Sequence, residues 1–315
     1  MKALVLGGTG FIGVAACKEL MRRGVETIAA SRREHPYGTF TSHVAFDRKD
    51  ADALAHVLDE VKPDVLLDLA CYQPSEVESV ARAFRGDRYV FISTGVYPDT
   101  TSERPAREED FVPLAGTLPP EPLEYLEGKR WCETVLTRNR DLPWLVIRPP
   151  AVLGPADHTL RIAAYMQRVE DGGPLLVPEE TYRRRAGLAW VRDVGFACAL
   201  ACDLRKGRAG EAYNVAFDNV SVKDLVEGIG RAMGKEVHLH PIPFAQLPAA
   251  ASPYGPNPNR PAGYNLDKAR RELGFEPSAL EDALAETLAW YRVARPSHPG
   301  YSERARELEL AGTAA

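Results

Sequence analysis

The sequence lacks any long hydrophobic run. None of its apolar stretches approaches the roughly 20 consecutive residues that a membrane-spanning helix needs. Met1 leads straight into a short strand-like segment rather than into a signal peptide. With 315 residues, 45% of them apolar, the chain can form one large domain or a main domain with a smaller partner. We therefore expect a cytoplasmic globular protein.

An excess of basic charge is also missing. The formal net charge is −5, and the sequence pI is about 5.9. Binding to nucleic acid or to anionic membranes usually requires a basic patch, since both partners are polyanions. The composition therefore predicts neither a nucleic-acid partner nor a membrane partner.

Cysteines are few and are not arranged for metal binding. None of them forms a C-x-x-C pair; Cys198 and Cys202 share a helical face, but no histidine or third cysteine is near them in the sequence. We predict no metal site and no disulfide framework. The five are expected to be reduced core residues: Cys17, Cys71, Cys132, Cys198 and Cys202.

The most informative stretch present is the first, MKALVLGGTGFIG. Its apolar run Ala3–Leu6 predicts a buried strand, and the apolar residues after Gly10 recur at helical spacing. Between them, Gly7 permits a tight turn, Gly10 allows close approach of a pyrophosphate, and Gly13 lets the helix pack against the strand. The positive end of the helix then faces the anion. The stretch therefore predicts a dinucleotide-binding turn.

The G-x-x-G-x-x-G spacing, with Thr9, Phe11 and Ile12 inside it, resembles the short-chain dehydrogenase/reductase superfamily. The resemblance is to its extended branch, the NAD-dependent epimerase/dehydratase family. Further segments similar to that family follow along the chain: Ile147–Pro150 with Gly154 and Pro155, Trp190–Val194, Tyr213–Val215, and Arg260–Pro261 with Asn265–Arg270 and Leu273–Phe275.

Strand-like and helix-like segments alternate through the first half of the chain. Repeated βα units predict an α/β fold with a doubly wound parallel sheet, the Rossmann fold, and a smaller interleaved C-terminal substrate domain. We place the dinucleotide-binding domain at residues 1–155, with a returning strand near 213–216. The substrate-binding domain spans 156–300, and 301–315 is a charged tail. The proline-rich segments 98–122 and 243–264 are predicted to be loops.

The second predicted strand ends in Ser31-Arg32-Arg33, without the acidic residue that would accept hydrogen bonds from an adenosine ribose. Arginine can instead pair with a 2′-phosphate, so NADP is favoured over NAD. Two solvated arginines at the start of a loop are the alternative interpretation. The family resemblance adds Asp47 as an adenine contact, and Leu69, Ala70 and Pro149 as further cofactor-binding residues.

Tyr125 and Lys129 are the main catalytic candidates. They are four residues apart, so on a helix they share a face. A neighbouring ammonium favours the phenolate and brings a tyrosine into range for acid/base work. The resemblance implies that Lys129 also reaches the nicotinamide ribose and that a hydroxyl follows the fifth strand. Alignment from that strand selects Thr94, and alignment from Val96-Tyr97 selects Ser93.

Two arginines are candidates for binding the substrate. Arg260 matches an arginine that holds the diphosphate in sugar-nucleotide epimerases, although its spacing to Asp267 is short. Arg185, in the run Arg183–Arg185, could serve instead, or the run could be a solvated charged loop. Gly95 and Val96 stand where the family's 4,6-dehydratases have Asp-Glu, which disfavours dehydration.

The sequence thus predicts an NAD(P)-dependent oxidoreductase or epimerase. Its hydride transfer would involve a hydroxyl or carbonyl carbon of a nucleotide-sugar-like or other small substrate. The alternative is a regulatory or RNA-binding protein that binds cofactor on the same fold without turnover, as in the superfamily's chloroplast stem-loop relatives. By analogy with the family, the chain can pair as a homodimer.

Overall fold

The structure of the protein, a computed structural model, describes residues 1–35, 38–98, 103–255 and 257–312. Its strands are β1 (Lys2–Leu6), β2 (Glu26–Ser31), β3 (Ser42–Ala45), β4 (Val65–Asp68), β5 (Arg88–Ile92), β6 (Trp144–Arg148), β7 (Ala151–Leu153), β8 (Leu175–Pro178), β9 (Leu188–Trp190), β10 (Glu211–Asn214) and β11 (Leu239–Ile242). Its α-helices are α1 (Phe11–Arg22), α2 (Ala51–Val61), α3 (Pro74–Ala83), α4 (Tyr125–Arg138), α5 (Arg161–Asp171), α6 (Val191–Cys202), α7 (Val222–Met233), α8 (Asp267–Leu273), α9 (Leu280–Ala294) and α10 (Arg304–Leu310).

Seven strands form one parallel sheet in the order β10-β6-β5-β4-β1-β2-β3. Strand β1 lies between β4 and β2, where Ala3 is in register with Val65 of β4 and with Thr27 of β2. The chain therefore winds outward from β1 in both directions. This order confirms the predicted doubly wound α/β fold, and ligands of such sheets bind at the carboxyl ends of the strands where the order reverses.

Both faces of the sheet are buried, because successive side chains of a strand point to opposite sides. In β1, Val5 joins the core under α1 and α6, and Leu6 joins the core under α2, α3 and α4. Helices α1 and α6 pack closely: a Cβ added at Gly195 would lie 2.6 Å from the backbone of Ala15. Helices thus cover the sheet on both faces, as the alternation of βα units predicted.

The second half of the chain is interleaved with the first. Strand β10 returns to the edge of the main sheet, while two small parallel pairs, β7 with β9 and β8 with β11, form outside it. The sequence analysis did not predict β7 or β9, each three residues long. Ser221 caps α7, since its hydroxyl accepts a hydrogen bond from the Asp224 backbone N–H at 3.1 Å.

The segment predicted as a charged tail, 301–315, folds onto the domain as far as the structure describes it. Helix α10 docks through Glu307, whose carboxylate pairs with the fully buried Arg168 guanidinium of α5 at 2.8 Å. Arg304 adds an ion pair to Asp171 at 2.7 Å. Some charged residues of this C-terminal segment therefore stabilise the fold, because a buried guanidinium requires a carboxylate partner.

The two proline-rich segments predicted as loops pack against each other at the carboxyl ends of the strands. Residues 99–102 and 256 lie outside the described residues. Ala106 forms a parallel bridge with Tyr264, and a 3₁₀ helix at Glu108–Asp110 follows. The Glu108 carboxylate is buried and accepts a hydrogen bond from the Asn214 backbone N–H at 2.8 Å. The first segment is therefore partly inside the protein rather than a surface loop.

Candidate active site

A cavity of about 1220 Å³ opens at the carboxyl ends of the central strands. The turn after β1, the ends of β2 and β3, the segments after β4, β5 and β6, and the start of α4 all contribute to its wall. Among the described residues, the predicted site residues that line it are Gly7, Thr9, Gly10, Phe11, Ile12, Gly13, Ser31, Arg32, Asp47, Leu69, Ala70, Ser93, Thr94, Tyr125, Lys129, Pro149 and Arg260. Residues distant in sequence therefore meet in one site.

The glycine turn has the geometry that its spacing predicts. Gly7 has φ +81°, in the left-handed region that favours glycine. A Cβ at Gly13 would lie 2.1 Å from the Gly7 carbonyl oxygen, so α1 can approach β1 only with glycine there. Gly10 caps α1 without a side-chain hydrogen bond, which leaves the first N–H groups of the helix for an anion. The turn fits a pyrophosphate.

Arg32 and Asp47 both lie exposed at the adjoining end of the cavity, beyond β2 and β3. Arg48, which the sequence analysis did not single out, also lines the cavity there. It is 8% exposed and pairs with the fully buried Asp68 carboxylate. Within the described part of the chain, its Nε and Nη1 atoms form no hydrogen bond. The position of Arg48 directly after Asp47 was the available signal, but sequence alone did not show that it is buried.

Tyr125 is the first residue of α4, and Lys129 lies one turn further along. The Tyr125 side chain is 54% exposed at the cavity, whereas Lys129 is 2% exposed. The Lys129 ammonium donates a hydrogen bond to the Ile92 carbonyl oxygen at 2.6 Å. It also lies 4.7 Å from the centroid of the Phe91 ring. A buried ammonium is thus fixed at the end of β5, beside the hydroxyl-bearing segment.

That segment offers the two hydroxyls that the sequence left open. Ser93 is 3% exposed, and its Oγ atom has no hydrogen-bond partner within the described structure. Thr94 is partly buried. Both line the cavity with Tyr125, and the choice between them stays a prediction.

Tyr72, in the segment after β4, is a site residue that the sequence analysis missed. Its ring centroid lies 6.1 Å from that of Tyr125 and 4.9 Å from the Lys129 Nζ atom. Burial, followed by the neighbouring Tyr125, raises the pKa of Tyr72. Tyr72 is therefore a neutral aromatic wall that holds the ammonium by a cation–π contact. Its position shortly after Ala70 was the available signal.

The two candidate substrate arginines are separated by the fold. Arg260 lines the cavity, and its Nη1 atom donates to the Tyr97 carbonyl oxygen at 3.3 Å. Arg185 is exposed and is not part of the lining. Its backbone bridges to Ser221, and the next residue, Ala186, is buried. Because neighbouring side chains of an extended segment alternate, Arg185 faces outward.

The remaining chemistry-bearing side chains do not form a metal centre. Over the described ranges of the chain, no group of three or more His, Cys, Asp or Glu side chains could hold a metal ion. The cysteines are free and buried, and burial raises the pKa of Cys17 to about 12. None of the helices that the structure describes has the length and apolar character required to span a bilayer.

Residues 3–85 and 74–216 match the family model of the NAD dependent epimerase/dehydratase family. The chain belongs to this family, which confirms the resemblance drawn from its motifs.

Three similar proteins illustrate the range of the family. The chain is 30% identical over 309 residues to the 2′-dehydrokanamycin reductase of Streptomyces kanamyceticus, covering 93% of this chain and 76% of that protein. It is 26% identical over 298 residues to the chloroplast stem-loop binding protein of 41 kDa b of Arabidopsis thaliana, covering 88% and 75%. A Bacillus cereus UDP-glucuronic acid 4-epimerase, in complex with UDP-glucuronic acid and NAD, superposes with a TM-score of 0.69 at 19% identity, covering 93% and 100%.

Proposed function

We propose that this protein is an oxidoreductase that uses NADP(H) in preference to NAD(H). It transfers hydride to or from a hydroxyl or carbonyl carbon of a small substrate. The observation that carries this proposal is the shared cavity: Tyr125, Lys129 and the Ser93/Thr94 hydroxyls line the same space as the Gly7–Gly13 turn.

The residues fit a nicotinamide dinucleotide. The Gly7–Gly13 turn and the start of α1 would hold its pyrophosphate, Arg32 a 2′-phosphate, and Asp47 its adenine. Leu69, Ala70 and Pro149 would line its path across the sheet. When bound, the nicotinamide supplies the hydride chemistry, and the protein supplies position and electrostatics.

Tyr125 is proposed as the acid/base. A tyrosine with a pKa near its reference of about 10 is mostly protonated at neutral pH, so it needs a nearby positive charge to release its proton readily. The buried Lys129 ammonium supplies that charge. It is held by the Ile92 carbonyl and by the rings of Phe91 and Tyr72. Ser93 or Thr94 would orient the substrate oxygen.

The substrate is proposed to be nucleotide-sugar-like or another small alcohol or ketone. The epimerase neighbour is bound to a nucleotide-sugar, and one relative is named as a reductase. Gly95, which stands where the family's 4,6-dehydratases have an aspartate, disfavours dehydration as the reaction. A Cβ at Gly95 would lie 2.1 Å from the Tyr264 hydroxyl oxygen. The site therefore has no room for a carboxylate side chain at that position.

The test is Tyr125→Phe, which keeps the ring and removes its acidic proton. We expect NADPH to bind as in the unchanged protein, while turnover of a carbonyl panel falls about 10²–10⁴-fold. NADPH binding is measured by fluorescence titration and turnover by cofactor absorbance. Tyr301→Phe, outside the cavity, is the matched control. Equal turnover by Tyr125→Phe and the control would refute the proposed role.

A protein that binds cofactor without turnover is the second candidate. The stem-loop binding relative favours it. The presence of both Tyr125 and Lys129 in the cavity supports the enzyme instead, since a binding protein does not require that pair. The two candidates differ in whether any substrate oxidises bound NADPH.

A further inference from the structure

A second group of polar side chains lines the same cavity outside the proposed catalytic group. Asp157, in the turn before α5, is 1% exposed. Its Oδ1 atom accepts hydrogen bonds from the Thr159 N–H at 2.9 Å and the Thr159 hydroxyl at 2.6 Å. Its Oδ2 atom has no hydrogen-bond partner in the described structure. One half of a buried carboxylate is thus fixed, and the other half is left with unused acceptor capacity.

Tyr254 lies beside Asp157, although the two come from distant parts of the chain. It is 5% exposed and lines the cavity, and its hydroxyl also has no hydrogen-bond partner among the described residues. Burial, the negative charge of Asp157 and the approach of the Tyr254 hydroxyl to that carboxylate raise the pKa of Tyr254, so its hydroxyl keeps its proton at neutral pH. The pair therefore presents one acceptor atom and one group able to donate or accept.

Both side chains are held in place. The Tyr254 ring stacks on Tyr165, with centroids 5.9 Å apart, and its N–H donates to the Tyr165 hydroxyl at 3.2 Å. On the other side, the Arg161 guanidinium carbon lies 5.5 Å from the centroid of the Tyr254 ring. Arg161 also donates to the Thr159 hydroxyl at 2.9 Å. The orphaned atoms therefore belong to rigid side chains.

An unpaired buried carboxylate oxygen is costly, and the cost is recovered when a ligand donates a hydrogen bond to it. Asp157 has no ion-pair partner among the residues described, so its charge selects a donor rather than an acceptor. A carbonyl or phosphate oxygen in the same place would be repelled. The chemistry that fits is a hydroxyl or a protonated amine.

We propose that Asp157 and Tyr254 form a substrate subsite that binds a second hydroxyl or an ammonium group, apart from the carbon that exchanges hydride. This inference deepens the proposed function and rests on it, because it specifies the class of substrate. The substrate carries a carbinol or carbonyl and, further along, a hydrogen-bond donor. Asp157 accepts from the donor, and the Tyr254 hydroxyl completes the contact.

The probes are cyclohexanol and its analogues carrying a hydroxyl or an amino group at C3 or C4. Their binding is measured by saturation-transfer NMR with NADPH present, because an alcohol cannot be oxidised by the reduced cofactor. We expect an analogue with a hydroxyl or amino group to bind about tenfold or more tightly than cyclohexanol. Comparison of the hydroxyl analogues with the amino analogues identifies which donor the subsite prefers.

Asp157→Asn is the sharpest variant. Its oxygen can keep both Thr159 hydrogen bonds while an NH₂ group replaces Oδ2, so the preference for a donor should disappear. Tyr254→Phe keeps the stack on Tyr165, removes the hydroxyl that faces the Asp157 carboxylate, and should reduce the preference. If Asp157→Asn does not fold, Tyr254→Phe decides the question. Asp203→Asn is the matched control, since Asp203 holds a similar turn through the Arg205 N–H outside the cavity.

The proposal is overturned if the unchanged protein binds the probes without distinction or if Asp157→Asn keeps the ranking. It is also overturned if Asp157→Asn weakens NADPH binding and leaves the ranking intact, because the pair would then serve the cofactor. Oxidation of the same alcohols with NADP⁺ is measured separately. The ranking without any turnover would support the subsite and reject the oxidoreductase. Turnover without the ranking would do the reverse.

Discussion

Gly128 lies directly against the backbone of Tyr72: a Cβ built at Gly128 would stand 2.2 Å from the Tyr72 carbonyl oxygen. The missing side chain allows α4 to approach the segment after β4. This approach places the Lys129 ammonium over the Tyr72 ring and the Tyr125 ring beside it. A glycine outside the cavity lining therefore sets the geometry of the proposed catalytic pair.

Gly128→Ala tests that relationship. Because the obstacle is backbone, the helix has to move, and we expect a loss of stability of about 1–3 kcal/mol together with reduced turnover. Thermal unfolding and NADPH-dependent turnover are the measurements. Glu127→Ala, on the exposed side of the same helix, should change neither. A fully active Gly128→Ala protein would show that the close approach is not required.

The cofactor preference depends on Arg32. We expect the protein to bind NADPH more tightly than NADH. Arg32→Ala should remove about tenfold or more of the NADPH affinity and leave NADH binding nearly unchanged, because a charge-assisted contact to the 2′-phosphate is lost. The neighbouring Arg33 does not line the cavity, so Arg33→Ala is the control. Equal affinity of the unchanged protein for the two cofactors would contradict the assignment.

We expect nucleic-acid binding to be the property in which this chain differs from its stem-loop binding relative. With a formal net charge of −5, the protein should not bind an RNA hairpin in a salt-sensitive manner at physiological ionic strength. Fluorescence anisotropy over a series of KCl concentrations measures this. Tight binding that weakens steeply with salt would favour the alternative function over the enzyme.

The docked C-terminal helix should matter for stability. Glu307→Ala leaves the fully buried Arg168 without its carboxylate, and we expect a cost of about 3–5 kcal/mol. Denaturant unfolding measures the change. Glu309→Ala, exposed on the same helix, should have little effect. Equal stability of the two variants would mean that the ion pair contributes nothing.

Much of the cofactor half was predictable because its signals are local. The first thirteen residues contain both the run Ala3–Leu6 and the three glycines of the motif, and each of these glycines is required by the geometry of the turn itself. The alternation of βα units then predicted the sheet. Tyr125 and Lys129 could also be predicted as a pair, since residues four positions apart on a helix lie on the same face.

Other features depend on which segments meet in space. Tyr72 contacts Lys129 because α4 packs against the segment after β4. Arg48 is buried because it pairs with Asp68 at the end of β4. The charged C-terminal residues were predicted to be a tail, because the sequence does not show that Arg168 is buried and pairs with a carboxylate from that segment.

The packing of distant segments also explains why the sequence could not choose between the two candidate arginines and did not reveal the proposed Asp157–Tyr254 subsite. Arg185 and Arg260 are both plausible in the sequence, yet the bridge to Ser221 turns one of them outward. Asp157 and Tyr254 carry no motif of their own. The sequence defined a chain able to bind a dinucleotide through short-range backbone geometry. The tertiary structure decided which distant polar groups face the cavity, because burial and unmet hydrogen bonds exist only once the chain has packed.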